Sequence, residues 1–152
     1  LISAHAVSEV EAFTAAGATP MGAAFALAKQ LLEDKERVPA RAYRPVLVLV
    51  SDGAPTDDWE NPLAALKGSE RAQKASRFAM AIGADADREL LAQFTNDVEA
   101  PVFEAHEAND IRRFFRAVTM SVVARSSSPS PDQPLAIDVS EIPADDLDLD
   151  AI

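Results

Sequence analysis

The chain has 152 residues, 48% of them apolar and 26% charged, with no cysteine and a net charge of −11. That length and composition allow one soluble domain with a real core, and the missing thiols exclude disulfides, thiolate zinc sites and cysteine nucleophiles. No run of about 18 apolar residues is present to span a membrane, and no basic face is supplied for nucleic acid.

Residues 1–20 show no basic start followed by an apolar block, so no secretory signal is read there. The sequence opens on Leu1 rather than Met, which fits a fragment or a processed product. Val7, Val10 and Phe13 suggest a turn of helix or an irregular lead-in. Gly17-Ala18-Thr19-Pro20 then punctuates the chain, with Thr19 placed as an N-cap and Pro20 as the first helical residue. A helix to about Arg37 follows, its apolar stripe made by Met21, Ala24, Phe25, Ala28, Leu31 and Leu32. Pro39 and the basic stretch Arg41 to Arg44 lead into Val46-Leu47-Val48-Leu49-Val50-Ser51, an apolar run bounded by Pro45 and Gly53. Such a run reads as a strand buried on both faces.

Ala54-Pro55-Thr56-Asp57-Asp58-Trp59 is turn chemistry. A short helix is expected over Pro62 to Lys67, broken at Gly68, and a second helical turn over Glu70 to Ala75. Arg77-Phe78-Ala79-Met80-Ala81-Ile82-Gly83 reads as a second buried strand. Asp85 and Asp87 cap a helix whose apolar face is Leu90, Leu91 and Phe94. Pro101-Val102-Phe103 is a short third strand, and a last helix spans Ala108 to Arg125 with Ile111, Phe114, Phe115, Val118 and Val122 on one face. Strand alternating with helix predicts an α/β fold: a Rossmann-like parallel sheet with flanking helices. Ser126-Ser127-Ser128-Pro129-Ser130-Pro131 marks a linker. Residues 126–152 hold seven carboxylates and no Lys or Arg, leaving fourteen basic and eighteen acidic groups in residues 1–125. The segment after the linker reads as a disordered acidic tail. Its Leu135, Ile137, Val139, Ile142, Leu147, Leu149 and Ile152 offer a second reading, a docking segment for a partner. The domain is therefore set at 1–125 and the linker and tail at 126–152.

Thr19 and Asp52 fall at the same expected edge of the sheet, one at a helix start and one where a strand ends, which is where open α/β sheets bind ligands. Hydroxyl and carboxylate oxygens are hard ligands suited to Mg²⁺. Asp57 and Asp58 lie close enough in sequence to add charge, with turn and helix-start roles as their alternative. Trp59 reads either as an exposed recognition aromatic or as packing over the sheet edge. Gly17 and Gly22 have the spacing of a phosphate loop, but Ala23 and Ala24 stand where its Lys and Ser/Thr belong. His5 and His106 have no paired nucleophile and read as surface groups.

Gly17-Ala18-Thr19-Pro20-Met21-Gly22-Ala23-Ala24, followed by Val46–Gly53, resembles the second half of a von Willebrand factor type A (VWA) domain over about residues 1–125. Ala54–Trp59 and Ala81-Ile82-Gly83-Ala84-Asp85-Ala86-Asp87, with Leu90 to Thr95, resemble the bacterial tellurium-resistance-associated (TerY-like) branch. The resemblance implies a metal-ion-dependent adhesion site with Thr19 and Asp52 among its ligands. It also implies a partner carboxylate at the metal's open position. The expected setting is cytoplasmic stress-response signalling beside kinases and phosphatases. The family's Asp-x-Ser-x-Ser ligands occur nowhere in this sequence, and its first strands precede the Thr loop. The resemblance thus implies an N-terminally truncated domain. The strand at 46–50 would then carry an unpaired edge, and metal binding would be weak or absent. The expected function is a non-catalytic protein-binding module. Two alternatives stand beside it: a metal-dependent phosphohydrolase built on Asp52, Asp57 and Asp58, and a metal-free scaffold that docks through its acidic tail.

Overall fold

The computed structural model describes residues 17–39, 44–95 and 102–128. The expectations for Val7 to Phe13, His5, Arg41, Pro101 and the acidic tail lie outside the described residues. Eight elements follow in chain order: α1 (Met21–Glu33), β1 (Val46–Ser51), α2 (Glu60–Gly68), α3 (Glu70–Lys74), β2 (Ser76–Ile82), α4 (Arg88–Phe94), β3 (Phe103–Ala105) and α5 (Ala108–Ser126). The three strands form one parallel sheet in the order β1-β2-β3. This is the mixed α/β, Rossmann-like architecture that the alternating pattern predicts.

The period-two alternation of side chains along each strand divides the core in two. Leu47 and Leu49 of β1, with Ala79 and Ala81 of β2, face α1, α2 and α4 through Phe25, Leu32, Leu63, Leu66, Leu90 and Leu91. The two alanines leave room for helices to sit close to the sheet, and Phe25 stacks on Phe94 with ring centres 5.7 Å apart. Val46 and Val48, with Phe78, Met80 and Ile82, face α5 through Phe114 and Val118. Burying a side chain such as Phe25, Leu66 or Phe114 stabilises the fold by about 1.5–3 kcal/mol each.

Burial divides the strands differently from the expectation. β2 is buried almost throughout, whereas β1 is half-buried along most of its length and Val50 is 36% exposed. β1 ends the sheet order among the described residues, so one side of its apolar run has no strand partner there. α1 stops at Glu33 rather than reaching Arg37. Asp34 takes an extended conformation, and its Oδ1 accepts from the N–H groups of Glu36 and Arg37, closing a turn where a helix would continue. β3 lies two residues later than expected. It pairs with β2 through Phe103, Glu104 and Ala105, and Glu104 takes a two-pronged bond from Arg88 at 2.8 Å to each carboxylate oxygen. That bond also raises the Arg88 pKa.

Two buried arginines lock helices to the strands. Arg77 in β2 donates to the carbonyls of Phe94 at 2.7 Å and Ala72 at 2.9 Å, at the C-terminal ends of α4 and α3. Burial pulls its pKa down. Arg125, near the end of α5, donates to the carbonyl of Arg44 just before β1 at 2.9 Å. No helix among the described residues is long and apolar enough to cross a membrane.

Candidate functional site

The C-terminal ends of the three strands define one edge, and the loops there carry the predicted site residues. β1 ends at Ser51, a buried serine whose hydroxyl donates to the carbonyl of Gly53 at 2.9 Å. This bond folds the chain sharply after the strand and leaves Asp52 exposed at the bend. Thr19 reaches the same place from the start of α1. A methyl group built on Gly53 would lie 3.7 Å from the Thr19 hydroxyl oxygen. The structure thus brings the Thr19 hydroxyl against the residue that follows Asp52. Among the described residues, neither the Thr19 hydroxyl nor the Asp52 carboxylate has a hydrogen-bond partner.

Thr19 does not cap α1. The position before the helix is taken by Pro20, and no side chain there bonds to the first turn. The cap comes from the other loop. Asp57 accepts from the N–H of Gly22 through Oδ1 and from the N–H of Ala23 through Oδ2, both at 2.9 Å. Those amides, Gly22 first and Ala23 next, hold the Asp57 carboxyl below the ordinary carboxylate range. The N–H of Thr56 donates to the Thr19 carbonyl at 3.0 Å, so the two loops are joined by three bonds. Gly22 permits this approach: a Cβ there would stand 1.9 Å from the Asp58 carbonyl oxygen and 3.1 Å from Asp57 Oδ2.

Sequence reading missed this clamp. Asp57 is 34 and 35 residues from its partners, and a local Thr-Pro start offers a nearer cap. The only available signal was Gly22 in the first turn of a helix, a position with no local need for glycine. Asp58 accepts from the Asn61 side chain at 2.9 Å in the first turn of α2, a helix-start role. Trp59 is half-buried and packs against the core, with its outer side over a groove lined by Leu63, Lys67 and Gln93. Asp87 caps α4 by accepting from the Leu90 N–H at 3.0 Å; Asp85 is not the cap. His106, after β3, donates its backbone N–H to Asp110 at 2.8 Å within the start of α5.

The donor set suits a hard divalent cation: a hydroxyl and a carboxylate, neither engaged by a protein donor, on adjoining loops. Among the described residues no group of three or more His, Cys, Asp or Glu side chains is gathered to hold a metal. What Thr19 and Asp52 provide is a pair of oxygens rather than a cage.

A parallel sheet with helices on both faces, and a Thr loop reaching a Ser-Asp-Gly turn at its C-terminal edge, define the class as a Rossmann-like α/β domain. The profile of the von Willebrand factor type A domain matches residues 3–117, and the chain belongs to that family. Searches of curated proteins and of solved structures found no match. Domains of this family are generally protein-interaction modules, and they commonly use a divalent metal.

Proposed function

We propose that the chain is a non-catalytic protein-binding module in which Thr19 and Asp52 hold a divalent cation, Mg²⁺ by the hardness of the oxygens, for a carboxylate of a protein partner. The observation that supports this is the Thr19 hydroxyl standing against Gly53, the residue after Asp52, with the Thr19 and Asp52 oxygens both unengaged on loops from different elements at the C-terminal edge of the sheet. When bound, the cation supplies the positive charge that a partner carboxylate meets. The residues of this chain present the oxygens and fix the loops that carry them. Asp-x-Ser-x-Ser has no counterpart in the 152 residues, so the pair alone is expected to hold the ion weakly. The resemblance to the TerY-like branch supports a cytoplasmic setting in bacterial stress or tellurium-resistance signalling, with a kinase or phosphatase of the same pathway as partner.

The test is Mg²⁺ titration of the ¹⁵N-labelled chain. Thr19 and Gly53 amides should shift, Asp52→Ala should abolish the shift, and calorimetry of the same mixture should show little heat. Shifts confined to other acidic positions would remove the metal reading. Mg²⁺- or Mn²⁺-dependent phosphatase turnover that disappears in Asp52→Ala would overturn the non-catalytic part.

A further inference from the structure

We infer that Asp57 is the positioning residue of the Thr19–Asp52 site, acting through the backbone of α1 and not as a metal ligand; the inference rests on the metal reading above. The two oxygens of the site belong to segments far apart in the chain, and nothing covalent keeps them in register. What does so is the contact between the first turn of α1 and the loop after β1. Both Asp57 oxygens accept amide N–H groups of that turn at 2.9 Å, and Thr56 adds a third bond to the Thr19 carbonyl at 3.0 Å.

The clamp acts close to both ends of the site. Gly22 is three residues from Thr19, and Asp57 five from Asp52. Slack at the clamp is therefore passed to the ligand pair over one short stretch of backbone on either side. The approach is also shape-specific. The turn and the loop meet so closely at Gly22 that any Cβ would overlap the Asp58 carbonyl. A carboxylate whose two oxygens are aimed at amides of a neighbouring helix orients a segment, as the outer-shell partners of metal ligands do.

Mn²⁺ is the probe, because its paramagnetism broadens nearby amide signals even at weak occupancy. In the full 152-residue chain the Thr19 and Gly53 amides should broaden together as Mn²⁺ rises. Asp57→Ala should raise the Mn²⁺ concentration that half-broadens Thr19 by roughly 10–100-fold, the range for loss of an outer-shell partner. Asp57→Asn, which keeps one acceptor, should fall between it and the parent chain. Gly22→Ala leaves every carboxylate in place but forces the loop away, and should act like Asp57→Ala. Val118→Ala, a truncation under α5, should leave the broadening unchanged while lowering stability. The inference is overturned if Asp57→Ala is silent, if Gly22→Ala keeps the parent behaviour while Asp57→Ala loses it, or if Val118→Ala loses it as well. Absence of selective broadening in the parent chain would instead sink the metal reading, and the inference with it.

Discussion

Replacing Gly22 by Ala should destabilise the protein, although alanine is the better helix former. Gly22 lies in the first turn of α1, and its nearest neighbours are the carbonyl oxygen and carbon of Asp58, 1.9 and 2.8 Å from where a Cβ would sit. These are backbone atoms, so no rotamer change relieves the overlap. The loop has to retreat by about 1 Å before the contact opens even to 3.0 Å, and that retreat stretches both bonds from Gly22 and Ala23 to Asp57. Overpacking of this kind costs about 1–3 kcal/mol, against a helix-propensity gain of about 1 kcal/mol. The net expectation is a loss of up to about 2 kcal/mol. At this chain length, with about 2–4 °C per kcal/mol, that is a fall in Tm of up to about 4–8 °C. Gly68→Ala is the internal control. It ends α2, nothing lies within 4 Å of its added Cβ, and its φ is not positive. The same substitution there should stabilise by about 0.4–1 kcal/mol. Thermal unfolding of the two variants beside the parent chain decides the matter. A Gly22→Ala protein raised above the parent Tm, as Gly68→Ala is expected to be, would refute the close approach of the loop to α1.

Three further outcomes follow from the same contacts. Arg77→Met should cost about 2–4 kcal/mol in urea unfolding, because the carbonyls of Phe94 and Ala72 lose a charged donor in a buried setting; a change under 0.5 kcal/mol would mean that they are satisfied otherwise. Asp57 and Asp110 are both held below the ordinary carboxylate range by backbone amides, Gly22 then Ala23 for the first and His106 then Glu107 for the second. Their stabilisation is therefore present above the unfolded-state pKa of about 3.9 and is lost as pH falls through the lower folded values, so the Tm deficit of Asp57→Asn should be full at pH 7 and shrink below about pH 4. Asp52→Ala should leave stability within about 0.5 kcal/mol, since the carboxylate is exposed; a larger loss by chemical denaturation would assign it a structural role.

Much of the architecture was legible because the patterns that specify it are local. The apolar stripe of α1, the run at 46–51 and the Asp87 start of α4 each declare themselves within a few residues. Even so, the run at 46–51 states only which faces a strand can bury. Its place in the sheet order is set by partners elsewhere, and for that reason β1 is only half-buried while β2 is buried as expected. β3 was misplaced because polar Glu104 interrupts its apolar pattern, while the pairing that places it comes from Met80, Ala81 and Ile82 of β2, more than twenty residues away. That Thr19 and the Ser51-Asp52-Gly53 turn come to one edge of the sheet was readable from the resemblance and from their position at a helix start and a strand end. The cap was not. Capping rules look a few residues back, and here the acceptor lies 35 residues ahead.

Arg77 has a consequence for how the sheet assembles. Its Cα partner across the ladder is Leu47, so it shares a face with Ala79 and Ala81 and meets carbonyls at two helix ends. A slip of β2 by one residue along β1 turns every side chain to the opposite face. The guanidinium would then be driven beneath α5, among Phe114, Val118 and Val122, while Phe78 and Met80 replaced the alanines under α1 and α4. Apolar strands such as Val46–Val50 and Phe78–Ile82 pair in many alignments of similar energy. One charged side chain with its acceptors on a single face makes the neighbouring alignments expensive, and so selects the native one during folding.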